Sequence, residues 1–89
     1  MGSDRETGQV GQAKTYIVDY DLPADHRRKR FYRAIKRYLE LHGIEGTGFS
    51  SQSVVITVSV NFAWEVYRQA RRAGGVAHVY EARRLDTEL

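Results

Sequence analysis

The spacing of apolar and polar side chains changes period several times along this chain, and each change marks an element. From Lys14 to Asp21, Tyr, Ile and Val favour a pleated strand, and period two separates Tyr16, Val18 and Tyr20 from Ile17, Asp19 and Asp21. Pro23 has no N–H to give to a ladder and ends the strand, and Asp25 is suited to cap a helix. From His26 to His42 the period lengthens. Phe31, Ala34 or Ile35, Tyr38, Leu39 and His42 recur at helical spacing, and Gly43 is a natural stop. A glycine-bearing loop, Ile44 to Gly48, leads to a short strand, Phe49 to Gln52, and then to the strongest strand pattern of the chain, Ser53 to Asn61. There Val54, Ile56, Val58 and Val60 form an apolar face expected under the helices, with Ser53, Val55, Thr57 and Ser59 on a milder one. Asn61 is expected to cap a second helix, Phe62 to Ala73, which buries Phe62 or Ala63, Val66, Ala70 and Ala73 and ends at Gly74-Gly75. Val76 to Glu81 reads as the last strand.

The order β-α-β-β-α-β predicts an α+β fold, the ferredoxin-like sandwich, with two helices on one face of an antiparallel sheet. Residues 1–12 lack periodicity and read as a disordered leader, 13–85 as one domain and 86–89 as a charged tail. The face away from the helices is expected to carry Ile17, Val55, Thr57, Ala77 and Val79. It is too apolar to leave open and too polar for a core, so a symmetric homodimer is expected to cover it.

Composition narrows the chemistry. The absence of cysteine excludes disulfides and thiolate metal sites. No apolar run reaches the roughly 18 residues of a membrane span, so a soluble, cytoplasmic protein is expected. The net charge of +3 is mild, but its distribution is not. Arg27, Arg28, Lys29, Arg30, Arg33, Lys36 and Arg37 follow one another without an acid, and Arg68, Arg71 and Arg72 form a second cluster. A helix so rich in arginine repels itself, which favours a polyanion partner over a merely solvated face. The candidate nucleic-acid contacts are Arg27, Arg28, Lys29, Arg30, Arg33 and Arg37. Such contacts position a phosphate backbone without reading sequence, and they weaken with salt.

The acids raise a second possibility. Mg²⁺ is commonly held by one or two protein carboxylates plus substrate phosphate. Asp21 from two chains, or Asp21 with Asp19, could supply these, and the metal could then activate water, with Asp21 as the catalytic residue. The structural alternative is that Asp21 accepts hydrogen bonds in the Leu22–Asp25 turn. Asp19, in mid-strand, needs solvent, a partner or a cation. His26, His42 and His78 lack metal-ligand spacing, Ser50, Ser51 and Ser53 lack a nearby base, and Gly43, Gly46 and Gly48 form no phosphate loop. Trp64 and Tyr67 are expected to pack between elements, with base stacking the alternative.

The run Tyr16-Ile-Val-Asp-Tyr-Asp-Leu, followed by a polar turn and an Arg-rich helix, resembles the start of CRISPR-associated protein 2. Asp21 falls on that family's strand-end acid, Ser53-Val54 on a Ser-Val pair, and Ala77-His78-Val79-Tyr80 on its last core strand, so the resemblance spans Lys14 to Leu85. Two departures make the resemblance that of a divergent or stand-alone member. Phe49 and Ser51 stand where the family often has Arg and Gln, and the turn after the third strand gives way to a continuing strand, Ile56 to Val60. The resemblance implies a ferredoxin-like homodimer in which the C-terminal segment, here Arg83 to Leu89, pairs with the partner's sheet. It also implies a place in CRISPR antiviral defence, either as Mg²⁺-dependent endonuclease or as non-catalytic adaptor to the CRISPR integrase protein in spacer acquisition. Three readings stand: a dimeric nucleic-acid-binding adaptor; a Mg²⁺-dependent endonuclease of DNA or RNA using Asp21; and a metabolite-binding regulatory module using Gly46 and Gly48. An RNA-recognition module is disfavoured, because the third strand carries Val, Ile, Ser and Thr rather than aromatics.

Overall fold

In the computed structural model, which describes residues 14–51, 53–83 and 85–86, the elements are β1 (Thr15–Asp21), α1 (His26–His42), β2 (Thr47–Ser51), β3 (Val54–Thr57), α2 (Val60–Arg72) and β4 (Val76–Ala82). The leader expected over residues 1–12 lies outside the described residues. The strands form one antiparallel sheet in the order β2-β3-β1-β4, and both helices lie on one face of it. This is the ferredoxin-like α+β sandwich that the element order predicts. No described helix is long and apolar enough to cross a membrane.

The central strand β1 fixes the two faces of the sheet. On the helix side, Val18 lies between Val55 and Val79, and Tyr20 lies opposite Ala77. On the open side, Ile17 lies between Ile56 and Tyr80, and Asp19 between Val54 and His78. The core joins Val18, Tyr20 and Val55 to Phe31 and Ile35 of α1 and to Phe62, Ala63, Val66 and Ala70 of α2. Its aromatic rings meet at tilted angles, with Tyr20 and Phe31 at 4.9 Å and Tyr38 and Phe62 at 5.9 Å. Each buried Phe contributes on the order of 1.5–3 kcal/mol through area removed from water. The Tyr20 hydroxyl satisfies itself on the Tyr32 hydroxyl at 3.1 Å, and burial pushes its pKa upward.

Three expectations are corrected. First, β3 faces the other way: Val55 and Thr57 are fully buried, whereas Ile56, Val58 and Val60 are exposed. The long alternation is in fact two elements. The strand stops at Thr57, Ser59 rather than Asn61 accepts from the Phe62 N–H at 3.1 Å, and α2 begins at Val60. Without Val58 and Val60, the strand offers Val54 and Ile56 against Val55 and Thr57, a small hydrophobic difference. The Thr57 hydroxyl is satisfied inside by Thr47 Oγ1 at 2.8 Å and by the Ser59 N–H at 3.1 Å, so its burial costs little. Second, Ala77 and Val79 pack with the core, so the open face carries Ile17, Val54, Ile56, Val76, His78 and Tyr80 instead. Third, β2 begins at Thr47, ahead of Phe49, and its register against β3 shifts between Phe49 and Ser51.

Candidate nucleic-acid interface

The first turn of α1 is electrostatically unusual. The Asp25 carboxylate accepts from the Arg27 backbone N–H at 2.9 Å and receives the Arg27 guanidinium on both oxygens. The Arg27 side chain, and then its backbone N–H, hold the Asp25 pKa down at about 2. The helix then opens with His26, Arg27, Arg28, Lys29 and Arg30 and has no acid in its first turn. Cations at the N-terminal end of a helix face the positive pole of its dipole, so the run is unfavourable by itself and is relieved by an anion.

Helical periodicity divides these cations. Lys29, Arg33 and Lys36 share the outer crest of α1, and Arg27, Arg30 and Arg37 share the flank beside α2. Arg28 turns the other way and donates to the Leu22 carbonyl at 3.2 Å. From α2 come Arg68, Arg71 and Arg72. Arg68 pairs with Glu65 at 2.9 Å, and Arg71 donates to the Tyr67 hydroxyl and lies 5.8 Å from the Tyr67 ring centre. The two helices together hold ten of the chain's 14 Lys and Arg and only two of its 11 acids, Glu40 and Glu65. Trp64 is 45% exposed on the same outer surface and meets Tyr67 edge-on at 5.5 Å. It therefore does not pack between elements as expected.

The acidic corner lies on the opposite, open face of the sheet. Asp19 is spoken for: its Oδ1 is 2.9 Å from His78 Nδ1, and its Oδ2 accepts from the Tyr80 hydroxyl at 3.2 Å, which raises the Tyr80 pKa. Asp21 is exposed, and among the described residues its carboxylate has no hydrogen-bond partner. Asp25, not Asp21, serves the turn. Asp19, Asp21, Ser53 and His78 line one shallow hollow, and Asp21 and Arg28 line the adjacent one. Among the described residues no group of three His, Cys, Asp or Glu converges. With both Asp19 oxygens engaged, Asp21 is left as a lone carboxylate beside a guanidinium. A Mg²⁺ ion there would need its remaining oxygens from water, substrate phosphate or the Asp21 of a second copy.

Gly46 has a structural explanation. It adopts a φ of 73° and accepts from the Val58 N–H at 3.2 Å, and a Cβ there would press on the Val58 side chain. The nearness of Asp19 to residues so far along the chain, and the sharing of one cleft by Arg30 and Arg72, leave no signal in local sequence spacing. Comparison with protein families, with characterised proteins and with solved structures finds no match for this chain.

Proposed function

We propose that this protein binds nucleic acid as a homodimer, with the helical layer turned to phosphates and the open sheet face turned to a second copy. The observation that carries the reading is charge segregation. Ten cations and two acids lie on the helices, while Asp19 and Asp21 lie on the open sheet face, where β1, β3 and β4 place no Lys or Arg. Phosphates are attracted to the first surface and repelled from the second. Exposed Trp64 beside Arg68 and Arg71 adds a ring on which a base can stack. Ile17, Val54, Ile56, Val76 and Tyr80 leave an apolar patch on the uncovered face, the kind of patch that marks an interaction site.

Within the resemblance to CRISPR-associated protein 2, this arrangement favours the adaptor role over Mg²⁺-dependent cleavage, because Asp19 is engaged by His78 and Tyr80 and most of the helical cations lie on the other side of the sheet from Asp21. A bridge to an integrase is then the proposed use of the dimer. The test is binding of duplex DNA across a salt series. Affinity is expected to fall linearly on logarithmic axes, by a slope of about 0.9 for each phosphate neutralised. Arg33→Glu with Arg37→Glu is expected to weaken binding by at least roughly tenfold and to flatten that slope. No detectable binding at about 50 mM salt would end the reading.

A further inference from the structure

The cationic surface contains a concave site. Arg27 and Arg30 of α1, Gln69 and Arg72 of α2, and the side chains of Phe31 and Ala73 line a cleft of about 200 Å³ between the two helices. Bidentate pairing with Asp25 fixes Arg27 in place. A Cβ on Gly74, whose φ is 84°, would stand 3.0 Å from Arg27 Nη1. The glycine thus keeps that nitrogen clear. Among the described residues neither Arg30 nor Arg72 forms an ion pair within 4.0 Å, and no carboxylate lines the cleft. Its volume falls below the roughly 300–1,000 Å³ of sites for drug-sized ligands, so it suits a small group rather than a whole nucleotide.

We propose that this cleft seats a terminal phosphate monoester of a nucleic-acid strand. Arg72 feels the Glu65 carboxylate only at a distance and, among the described residues, Arg30 pairs with no acid within 4.0 Å, so these two guanidiniums, with a third held at the edge, favour an anion of up to two charges. A phosphate monoester carries about −1.5 to −2 near neutral pH, whereas each bridging phosphate of a strand carries a single charge. Guanidinium forks match the oxygens of such a group in pairs, and the Phe31 and Ala73 walls exclude water on one side, which strengthens the contact. The identity of the ligand's carrier rests on the nucleic-acid reading above.

The test uses three oligonucleotides of one sequence, bearing a 5′-phosphate, a 3′-phosphate or no terminal phosphate, and reads affinity by fluorescence anisotropy. One phosphorylated form is expected to bind on the order of tenfold more tightly than the bare strand. Arg30→Gln with Arg72→Gln is expected to abolish that preference, and both residues are exposed, so the fold should survive, as circular dichroism would verify. Equal affinity for all three strands, or a preference that survives the double substitution, overturns the proposal. A parallel titration with inorganic phosphate, followed by the Nε–Hε resonances of Arg30 and Arg72, separates it from the wider reading. Shifts without oligonucleotide binding keep the phosphate seat and sink the nucleic-acid reading. Oligonucleotide binding without shifts does the reverse.

Discussion

Gly75 has no room for a side chain. A Cβ there would run into the Asp21 carbonyl and approach Leu22 Cδ2 at 3.0 Å and the Ala70 carbonyl at 3.3 Å. The Asp21 carbonyl is backbone of the central strand and cannot swing aside. Gly75→Ala is therefore expected to cost about 1–3 kcal/mol by overpacking, read as a Tm lower by roughly 5–20 °C. Gly48→Ala, with nothing within 4 Å of the new carbon, is the contrasting substitution and should leave Tm close to the parent's. The Gly74-Gly75 pair is legible in the sequence as a helix stop. The separate duties of the two are not: Gly74 supplies a φ of 84°, and Gly75 supplies space against a strand far away in the chain. Asp19 follows the same logic. A carboxylate in mid-strand announces that it needs a partner, but that partner, His78, lies 59 residues on and is chosen by the register of β1 against β4.

At the scale of the element, α1 is the best-specified part of the chain, because its signals are local. Its apolar stripe, its Asp25 cap and its Gly43 stop all lie within one stretch, and the observed bounds coincide with those the pattern predicts. The cap also sets a pH dependence. The folded-state pKa of Asp25, about 2, lies below the usual carboxylate value of about 3.9. Its contribution is therefore complete above about pH 4 and is lost as pH falls toward 2. Denaturant titrations between neutral pH and pH 2 should show a shallower acid loss in Asp25→Asn, which keeps a capping side chain but no titrating group. Asp25→Ala should be less stable at neutral pH as well. The start of α2 is ambiguous in local sequence, because Ser59 and Asn61 are both good caps and Val60 extends the valine alternation. The choice fell to Ser59 once Thr57 closed the strand on Thr47.

At the scale of the molecule, the two sides of the sandwich differ in chemistry: a cationic outer helical surface, and an open sheet face that is apolar with an acidic corner. A second copy laid against the open face would cover Ile56 and Tyr80 and leave the cations outermost. Sedimentation at tens of micromolar should then give a dimer mass for the parent and a monomer mass for Ile56→Lys, with unchanged circular dichroism. A parent that sediments as a monomer removes the dimer and leaves the helical surface untouched.

The sequence by itself determined the order of the elements, the α+β class, the extent of α1 and the excess of cations on the helices, since periodicity, capping and composition act over a few neighbouring residues. The tertiary structure alone decided which face of β3 is inside, which group holds Asp19, and that Arg27, Arg30 and Arg72 share a cleft. Those outcomes depend on strand register and on the packing of two helices over one sheet, contacts between residues distant along the chain that no local pattern encodes.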